Sequence, residues 1–216
     1  MLHHFASENS LINTWTNELR NTEIQQDRLR FRRNMERIGE IAAYEISKML
    51  AFKDEEVKTP LGIFNGKNIE SQPVLSTILR AGVPLFQGIL NYFDKADCGF
   101  VAAYRKHNSD DSFEINQQYI TCPDLNNRVL ILADPMLATG ASLITALEEL
   151  QEYGTPKEIH IVVAIASTVG VEMIISRFPD VHLWIASIDD ELTAKGYIVP
   201  GLGDAGDLAY GPKLQF

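Results

Sequence analysis

The sequence predicts an α/β protein, a parallel sheet covered by helices on both faces. Apolar runs recur at 73–79 (PVLSTIL), 98–105 (CGFVAAYR), 128–134 (RVLILAD), 158–166 (EIHIVVAIA) and 182–188 (HLWIASI). Helix-like segments lie between several of them, notably 142–153, closed by Gly154, and 169–177. The runs are near-continuous rather than alternating, as strands buried on both faces must be. With 216 residues, the chain fits a single domain, 1–216, with appendages.

Taken in order, residues 1–27 form an N-terminal arm. Residues 28–50 follow, with Phe31, Met35, Ile38, Ala42, Ile46 and Met49 at spacings of three and four. That spacing predicts one face of an amphipathic helix. Arg28, Arg30, Arg32, Arg33 and Arg37 make its start the most basic stretch of the chain. Such a face is either solvated, buried between subunits, or an anion or effector site. Residues 57–71 place Asn65-Gly66 between short β-prone stretches, which predicts a hairpin hood with its turn at that pair.

Composition excludes several functions. The net charge of −10 argues against general nucleic-acid or anionic-membrane binding, since such surfaces need clustered Lys and Arg. The N-terminus lacks a secretory pattern, and no apolar run approaches the ~20 residues that span a bilayer. The two cysteines, Cys98 and Cys122, have no CxxC spacing, which suits reduced structural thiols in the cytoplasm. The five histidines have no zinc spacing, and His160 reads as a buried or edge histidine of its strand. GLGDAG at 201–206 fits G-x-G-x-x-G, but too little chain follows it for a dinucleotide-binding crossover.

In a parallel sheet, active sites gather at the carboxyl ends of the strands. The residues there are Arg80-Ala81-Gly82, Tyr104-Arg105-Lys106, Asp134-Pro135, Ser167-Thr168 and Asp189-Asp190. After Asp134, the turn Ala138-Thr139-Gly140-Ala141-Ser142 enters a helix. Small side chains there let a ligand reach backbone N–H groups at a helix N-terminus, where the helix dipole favours an anion. Thr139 and Ser142 add hydroxyls. The stretch reads as a phosphate cradle, with Asp134 placed for ribose hydroxyls or a hydrated Mg²⁺. The tail, GYIVPGLGDAGD at 196–207, surrounds two acids with glycines after an apolar lead-in, which suits a loop that hugs a ligand.

Together LILADPMLATGAS (130–142), STILRAG (76–82), AYR (103–105) and GYIVPGLGDAGD resemble the uracil phosphoribosyltransferase family, in order and spacing, from about residue 28 onward. The resemblance implies the type I phosphoribosyltransferase fold and a reaction of uracil with 5-phosphoribosyl 1-diphosphate to give UMP and diphosphate. It implies that Asp134, Pro135, Met136, Leu137, Ala138, Thr139, Gly140, Ala141 and Ser142 hold the phosphoribosyl group, with Arg80 and Arg105 on the diphosphate. It also implies that Ile198, Gly203, Asp204 and Ala205 bind uracil, with Asp204 reaching the donor as well. Arg105, Asp134 and Asp204 are the implied catalytic residues. Mg²⁺ is implied as a passenger of the diphosphate, with no protein-only metal site. GTP is implied as an effector and a homodimer or larger homo-oligomer as the assembly.

The chain departs from the family pattern in places. Ala141 stands for the second Gly of Thr-Gly-Gly-Ser, a mild change if its φ is negative. Val83-Pro84, Lys106-His107, Ser167-Thr168-Val169 and Leu208 also differ, and they bear on regulation more than on reaction class. Two other readings exist: a phosphoribosyltransferase for another base, and a nucleotide-sensing regulator on the same scaffold. Orotate and purine enzymes of this fold carry paired acids where this chain has Asp134 alone. A sensor that had abandoned catalysis would be expected to lose Arg80, Arg105 or Asp134, and all are present.

Overall fold

The computed structural model describes residues 1–107 and 113–214; the side chains of 103–118 lie outside the described part. Strand β1 (Leu2–His4) leads through helix α1 (Leu11–Arg20) to the long helix α2 (Arg28–Ser47). Strands β2 (Phe52–Thr59) and β3 (Gly62–Ile69) form a hairpin. Then come β4 (Val74–Leu79), α3 (Val83–Leu90), β5 (Asp97–His107), β6 (Phe113–Thr121), β7 (Val129–Ala133) and the short β8 (Met136–Leu137). Helix α4 (Ala141–Leu150), β9 (Glu158–Ser167), α5 (Thr168–Arg177), β10 (His182–Asp189), β11 (Glu191–Leu192), β12 (Ile198–Val199) and α6 (Ala205–Tyr210) complete the chain.

The main sheet runs β1-β10-β9-β7-β4-β5-β6, with β8 also pairing with β9. Every pairing is parallel except β5 with β6. Successive strand residues point to opposite faces. Leu75, Ile131, Val162 and Trp184 therefore pack in one apolar layer with Phe31, Met35 and Ile38 of α2 and Leu85 of α3. Val74, Leu130, Leu132, Ile161 and Leu183 pack in the other with Leu143 and Leu147 of α4 and Ile174 of α5. Burial on this scale, roughly 1.5–3 kcal/mol for each large apolar side chain, is what makes the sheet a rigid platform.

Helix α2 starts where Asp27 accepts hydrogen bonds from the N–H groups of Leu29 and Arg30, at 3.0 and 3.1 Å. Its apolar face is buried through Ile46, but the helix ends at Ser47 and Met49 is exposed. The expected run to residue 50 is thus a turn too long. Four of the five basic residues are engaged within the chain. Arg32 donates to the Ala209 carbonyl, Arg37 lies over the Trp15 ring, and Arg30 and Arg33 pair with Glu18 and Glu36.

The hairpin spans Phe52 to Ile69, and its turn is at Pro60-Leu61, not at Asn65-Gly66. Proline supplies the φ of a turn's first corner, and the Thr59 hydroxyl seals the turn by donating to the Gly62 carbonyl at 3.0 Å. Asn65 and Gly66 instead lie inside β3, opposite Glu56 and Glu55. Towards its carboxyl end, helix 142–153 changes character, with α4 ending at Leu150 and a tighter turn of Gln151–Tyr153 following.

His160 is fully buried on the interior strand β9, where its Nδ1 accepts from Trp184 Nε1 at 3.0 Å. Burial, with His182 and His3 nearby, pushes its pKa down to about 3. Both cysteines are free thiols, and burial pushes that of Cys122 up to about 11.

Candidate active site

The mouths of β4, β7, β9 and β10 meet at one edge of the sheet. At β7, the strand closes on Ala133, and Asp134 turns out of the sheet while its N–H still donates to the Val162 carbonyl at 3.1 Å. The Asp134 carboxylate accepts from the Met136 N–H at 3.3 Å. Pro135 is buried, and its carbonyl accepts from the N–H groups of Ala164 and Ile165. Met136 and Leu137 then pair with β9, so the loop after the acid is stitched to the sheet for most of its length.

Two further contacts fix the small-residue turn. The buried Ser167 hydroxyl donates to the Ala138 carbonyl at 2.6 Å and accepts from the Gly170 N–H at 2.9 Å. A side chain at Gly170 would lie 2.4 Å from the Ala138 oxygen, so only glycine permits this approach. Gly140 has φ +85 and opens α4 with no side chain capping it. The Thr139 hydroxyl accepts from the Ala141 N–H at 3.4 Å. Ala141 is the first residue of α4 and is not among the positive-φ residues, so the missing second glycine leaves the turn geometry intact. Thr139, Ala141 and Ser142 are half-buried around the uncapped N-terminus of α4. Main-chain N–H groups at a helix start suit an anion, and Asp134 precedes them in the same loop.

Arg80 follows β4, whose Thr77 pairs with Ala133 of β7, so Arg80 and Asp134 leave neighbouring strands. Its guanidinium contacts the Asp207 carboxylate at 3.1 Å and the Gly211 carbonyl at 3.4 Å. Arg105 lies on β5 three residues beyond Ala102, the last β5 partner of β4, and its side chain is outside the described residues.

The tail closes over this edge. Strands β11 and β12 form a small hairpin whose Gly196 approaches Thr139; a side chain there would lie 3.4 Å from Thr139 Cγ2. The Ile198 side chain is buried in the core, so its main chain is what it can offer a ligand. Gly203 is exposed with open space where a side chain would be, and Ala205 is buried at the start of α6. Asp204 caps α6, accepting from the Asp207 N–H at 3.0 Å and from Lys213 Nζ at 2.7 Å. Burial pulls its pKa upward, but the Lys213 ammonium and the N–H groups of Asp207 and Gly206 outweigh this and hold the carboxyl below its usual range. A cleft of about 800 Å³ lies between this loop and residues 25–29 at the start of α2.

Arg105 apart, whose side chain lies outside the described residues, the residues expected from sequence fall in three clusters at one sheet edge: the Asp134–Ser142 loop, the Arg80 turn and the 198–205 loop. Sequence reasoning gave no role to Ser167, which it noted at a strand mouth and as a departure from a family pattern, and passed over Lys213, whose partner is nine residues away. Among the described residues, no group of three or more His, Cys, Asp or Glu side chains could hold a metal ion. Nor is any described helix long and apolar enough to cross a membrane.

A mostly parallel sheet with helices on both faces, a small-residue turn after its acid-tipped strand β7 and a tail loop near that turn is the architecture of a type I phosphoribosyltransferase. The model of the family described as "Uracil phosphoribosyltransferase" matches residues 6–212. A uracil phosphoribosyltransferase of Porphyromonas gingivalis is 50% identical over 212 residues, 98% of each chain. One of Pyrococcus furiosus is 40% identical over 192 residues, covering 88% of this chain and 82% of the relative. A solved structure of a protein from Aquifex aeolicus superposes with a TM-score of 0.88 at 30% identity over 100% of both chains. The chain belongs to the uracil phosphoribosyltransferase family, and it is an enzyme that transfers a pentosyl group to uracil.

Proposed function

We propose that this chain makes UMP and diphosphate from uracil and 5-phosphoribosyl 1-diphosphate by dividing the substrates between a backbone cradle and a base-reading loop. The observation that carries the division is the start of α4 at Gly140, which has no side chain to cap it, in the loop that follows Asp134 and is approached at Thr139 by Gly196 of the tail. In this reading the 5-phosphate accepts hydrogen bonds from the N–H groups of 139–142 and the hydroxyls of Thr139 and Ser142, and Asp134 accepts from the ribose hydroxyls. Pro135, Met136, Leu137 and Ala138 shape the loop that presents them.

Breaking the C1–O bond leaves positive charge on the ribose and negative charge on diphosphate, so positioning and electrostatics carry the catalysis. Arg80 and Arg105 take the leaving group as guanidinium–oxyanion contacts. Diphosphate would take the place of the Asp207 carboxylate on Arg80, an exposed pair with little to lose. Mg²⁺ enters on the diphosphate and neutralises part of its charge. Asp204 lies beside the cationic sugar, and its lowered pKa keeps it ionised there. Uracil offers an N3–H donor between two carbonyl acceptors, which a main-chain carbonyl flanked by N–H groups of Ile198, Gly203 and Ala205 can match. Cytosine inverts part of that pattern and would leave buried groups unpaired, a penalty worth ~10⁴ or more in discrimination.

A competition assay tests the reading: Mg²⁺ and the phosphoribosyl donor with equimolar uracil, cytosine, orotate and hypoxanthine. UMP as the sole nucleotide is the expected result. Another nucleotide would overturn the base assignment, and bound donor without product would move the chain to the sensor class. Asp204→Asn should lower turnover far more than stability, because its Lys213 pair is half-exposed and worth about 1 kcal/mol or less. Normal turnover in that variant would remove Asp204 from the chemistry.

The same reading includes a cytoplasmic homo-oligomer with GTP as effector. Exposed Phe52, Val57, Leu61, Ile63 and Phe64 on the β2–β3 hairpin support the association. Light scattering of the purified chain, and initial rates with and without GTP, test the two statements separately.

A further inference from the structure

The tail loop begins on an ion pair that comes from elsewhere in the chain. Arg20, the last residue of α1, and Asp189, the last residue of β10, meet as a two-pronged fork, with Nη1 to Oδ2 at 2.8 Å and Nη2 to Oδ1 at 2.6 Å. Asp189 is buried and Arg20 nearly so. The Ser187 hydroxyl accepts from Arg20 Nη2 at 3.0 Å, which fixes the guanidinium plane. The pair does not stop at itself. Arg20 Nη1 donates to the Gly201 carbonyl at 2.9 Å, and Asp189 Oδ2 accepts from the Gly201 N–H at 2.9 Å. One guanidinium and one carboxylate therefore grip both main-chain polar groups of a single residue.

That residue is the pivot of the loop. Gly201 has φ +58, and a side chain on it would lie 2.2 Å from the Ile198 carbonyl oxygen. It sits three residues after Ile198 and two before Gly203, between the two halves of the base-reading stretch. A loop that recognises a base through main-chain groups has no side chains with which to correct a displaced backbone. Its hydrogen-bond geometry depends on whatever holds the main chain, and a displacement of about 1 Å is enough to cost a large factor in rate.

We infer that Arg20 and Asp189 are positioning residues for uracil: their charge-assisted hydrogen bonds to Gly201 set the place of the 198–205 loop and thereby the affinity for the base. The inference rests on reading 198–205 as the uracil site. Neither residue reaches the cradle through a side-chain contact: Asp189 is the sheet partner of Ser167 on β9, and its carbonyl accepts from the Thr168 hydroxyl at 3.4 Å, while its carboxylate turns to Arg20 and Gly201. The pair should consequently affect one substrate and spare the other. A lysine at position 20 would keep the charge but lose the fork that engages Asp189 and Gly201 together.

The test is steady-state kinetics on Arg20→Lys and Gly203→Ala, each varied in uracil and in the phosphoribosyl donor, with circular dichroism to confirm folding. In Arg20→Lys the KM for uracil should rise about tenfold and discrimination against cytosine should fall, while the KM for the donor stays within about twofold. Asp189→Asn, which retains an acceptor for the Gly201 N–H, should show a smaller rise of the same kind, and it serves as the readout should Arg20→Lys fail to fold. Gly203→Ala alters the loop itself and should raise the uracil KM independently. A normal uracil KM in folded Arg20→Lys, or equal rises in both KM values, overturns the positioning role if Gly203→Ala still weakens uracil. If neither variant weakens uracil, the base site is elsewhere and the inference falls with it.

Discussion

The two halves of the site are held by different forces. The loop proposed to cradle the phosphate is a continuation of the sheet: β8 pairs with β9, Pro135 bonds to β9, and Ser167 and Gly170 press against Ala138 and Leu137. The loop proposed to read the base rests Ile198, Leu202 and Ala205 in the core, and its polar fastenings are charges: the Arg20–Asp189 fork at Gly201 and, within the tail, the Lys213–Asp204 pair at the start of α6. A phosphate needs a fixed ring of N–H groups, and a ladder of backbone bonds provides one with no moving parts. A base must enter and UMP must leave, and between its buried anchors the loop leaves Gly203 and Asp204 exposed, where the chain has fewest contacts to give up. The difference teaches that main-chain recognition can be supported in two ways, and that mutations should separate them.

The largest effect should come from filling the cradle's back wall. Gly170→Ala puts a methyl 2.4 Å from the Ala138 oxygen and 2.9 Å from that of Leu137, and neither backbone group can step aside alone. A loss of about 2–3 kcal/mol of stability is expected, with the donor KM raised at least about tenfold and the uracil KM little changed. Urea denaturation and initial rates check both. A uracil effect as large as the donor effect would break the comparison.

Next comes acid, which should weaken the protein from a place belonging to neither half. His160 is buried near His182, His3, Glu158 and Trp184 at the opposite end of the strands. Its folded pKa of about 3 lies below the ordinary value of 6.5, so the unfolded chain binds a proton that the folded chain refuses. Stability from this group is complete above pH 6.5 and declines as pH falls towards 3, with Glu158, 3.0 Å from Nε2, moderating the decline. Urea midpoints at pH 7, 6 and 5 should fall, and His160→Gln, which can still accept from Trp184, should flatten the slope.

Gly140→Ala should cost about 1–2 kcal/mol, since φ +85 is strained for any residue with a side chain, and should weaken the donor rather than uracil. The smallest effect is expected of Lys213→Met. Its half-exposed pair with Asp204 contributes about 1 kcal/mol or less to stability. Without the ammonium, the Asp204 pKa should move back up, and the acid limb of the turnover profile should shift to higher pH. An unchanged limb would show that Asp204 does not govern it.

Much of the cradle was legible because its causes are local. An apolar strand, one acid and a small-residue turn before a helix occupy consecutive positions from Val129 to Ser142, and each carries its own physical reason. The base loop was legible as a Gly-dense apolar stretch, but what fastens it was not. Arg20 and Asp189 are 169 residues apart, and no pattern along one chain couples them. Ser167 was visible at a strand mouth, yet its use as a prop depends on a turn that reaches it from another strand. The hairpin shows a different failure. Two turn signals competed, and Pro60 with the Thr59 hydroxyl prevailed over Asn65-Gly66. The basic run at the start of α2 left several uses open, and only the packed tail and α1 showed the partners of Arg32 and Arg37.

The most direct test of the divided site is a calorimetric titration of 5-phosphoribosyl 1-diphosphate with Mg²⁺ into the wild type, Gly140→Ala and Gly203→Ala, with the uracil KM of each measured on the same preparation. The division predicts that Gly140→Ala weakens donor binding at near-normal uracil KM, and that Gly203→Ala binds the donor like the wild type while its uracil KM rises. Equal loss of both substrates in either variant would contradict it.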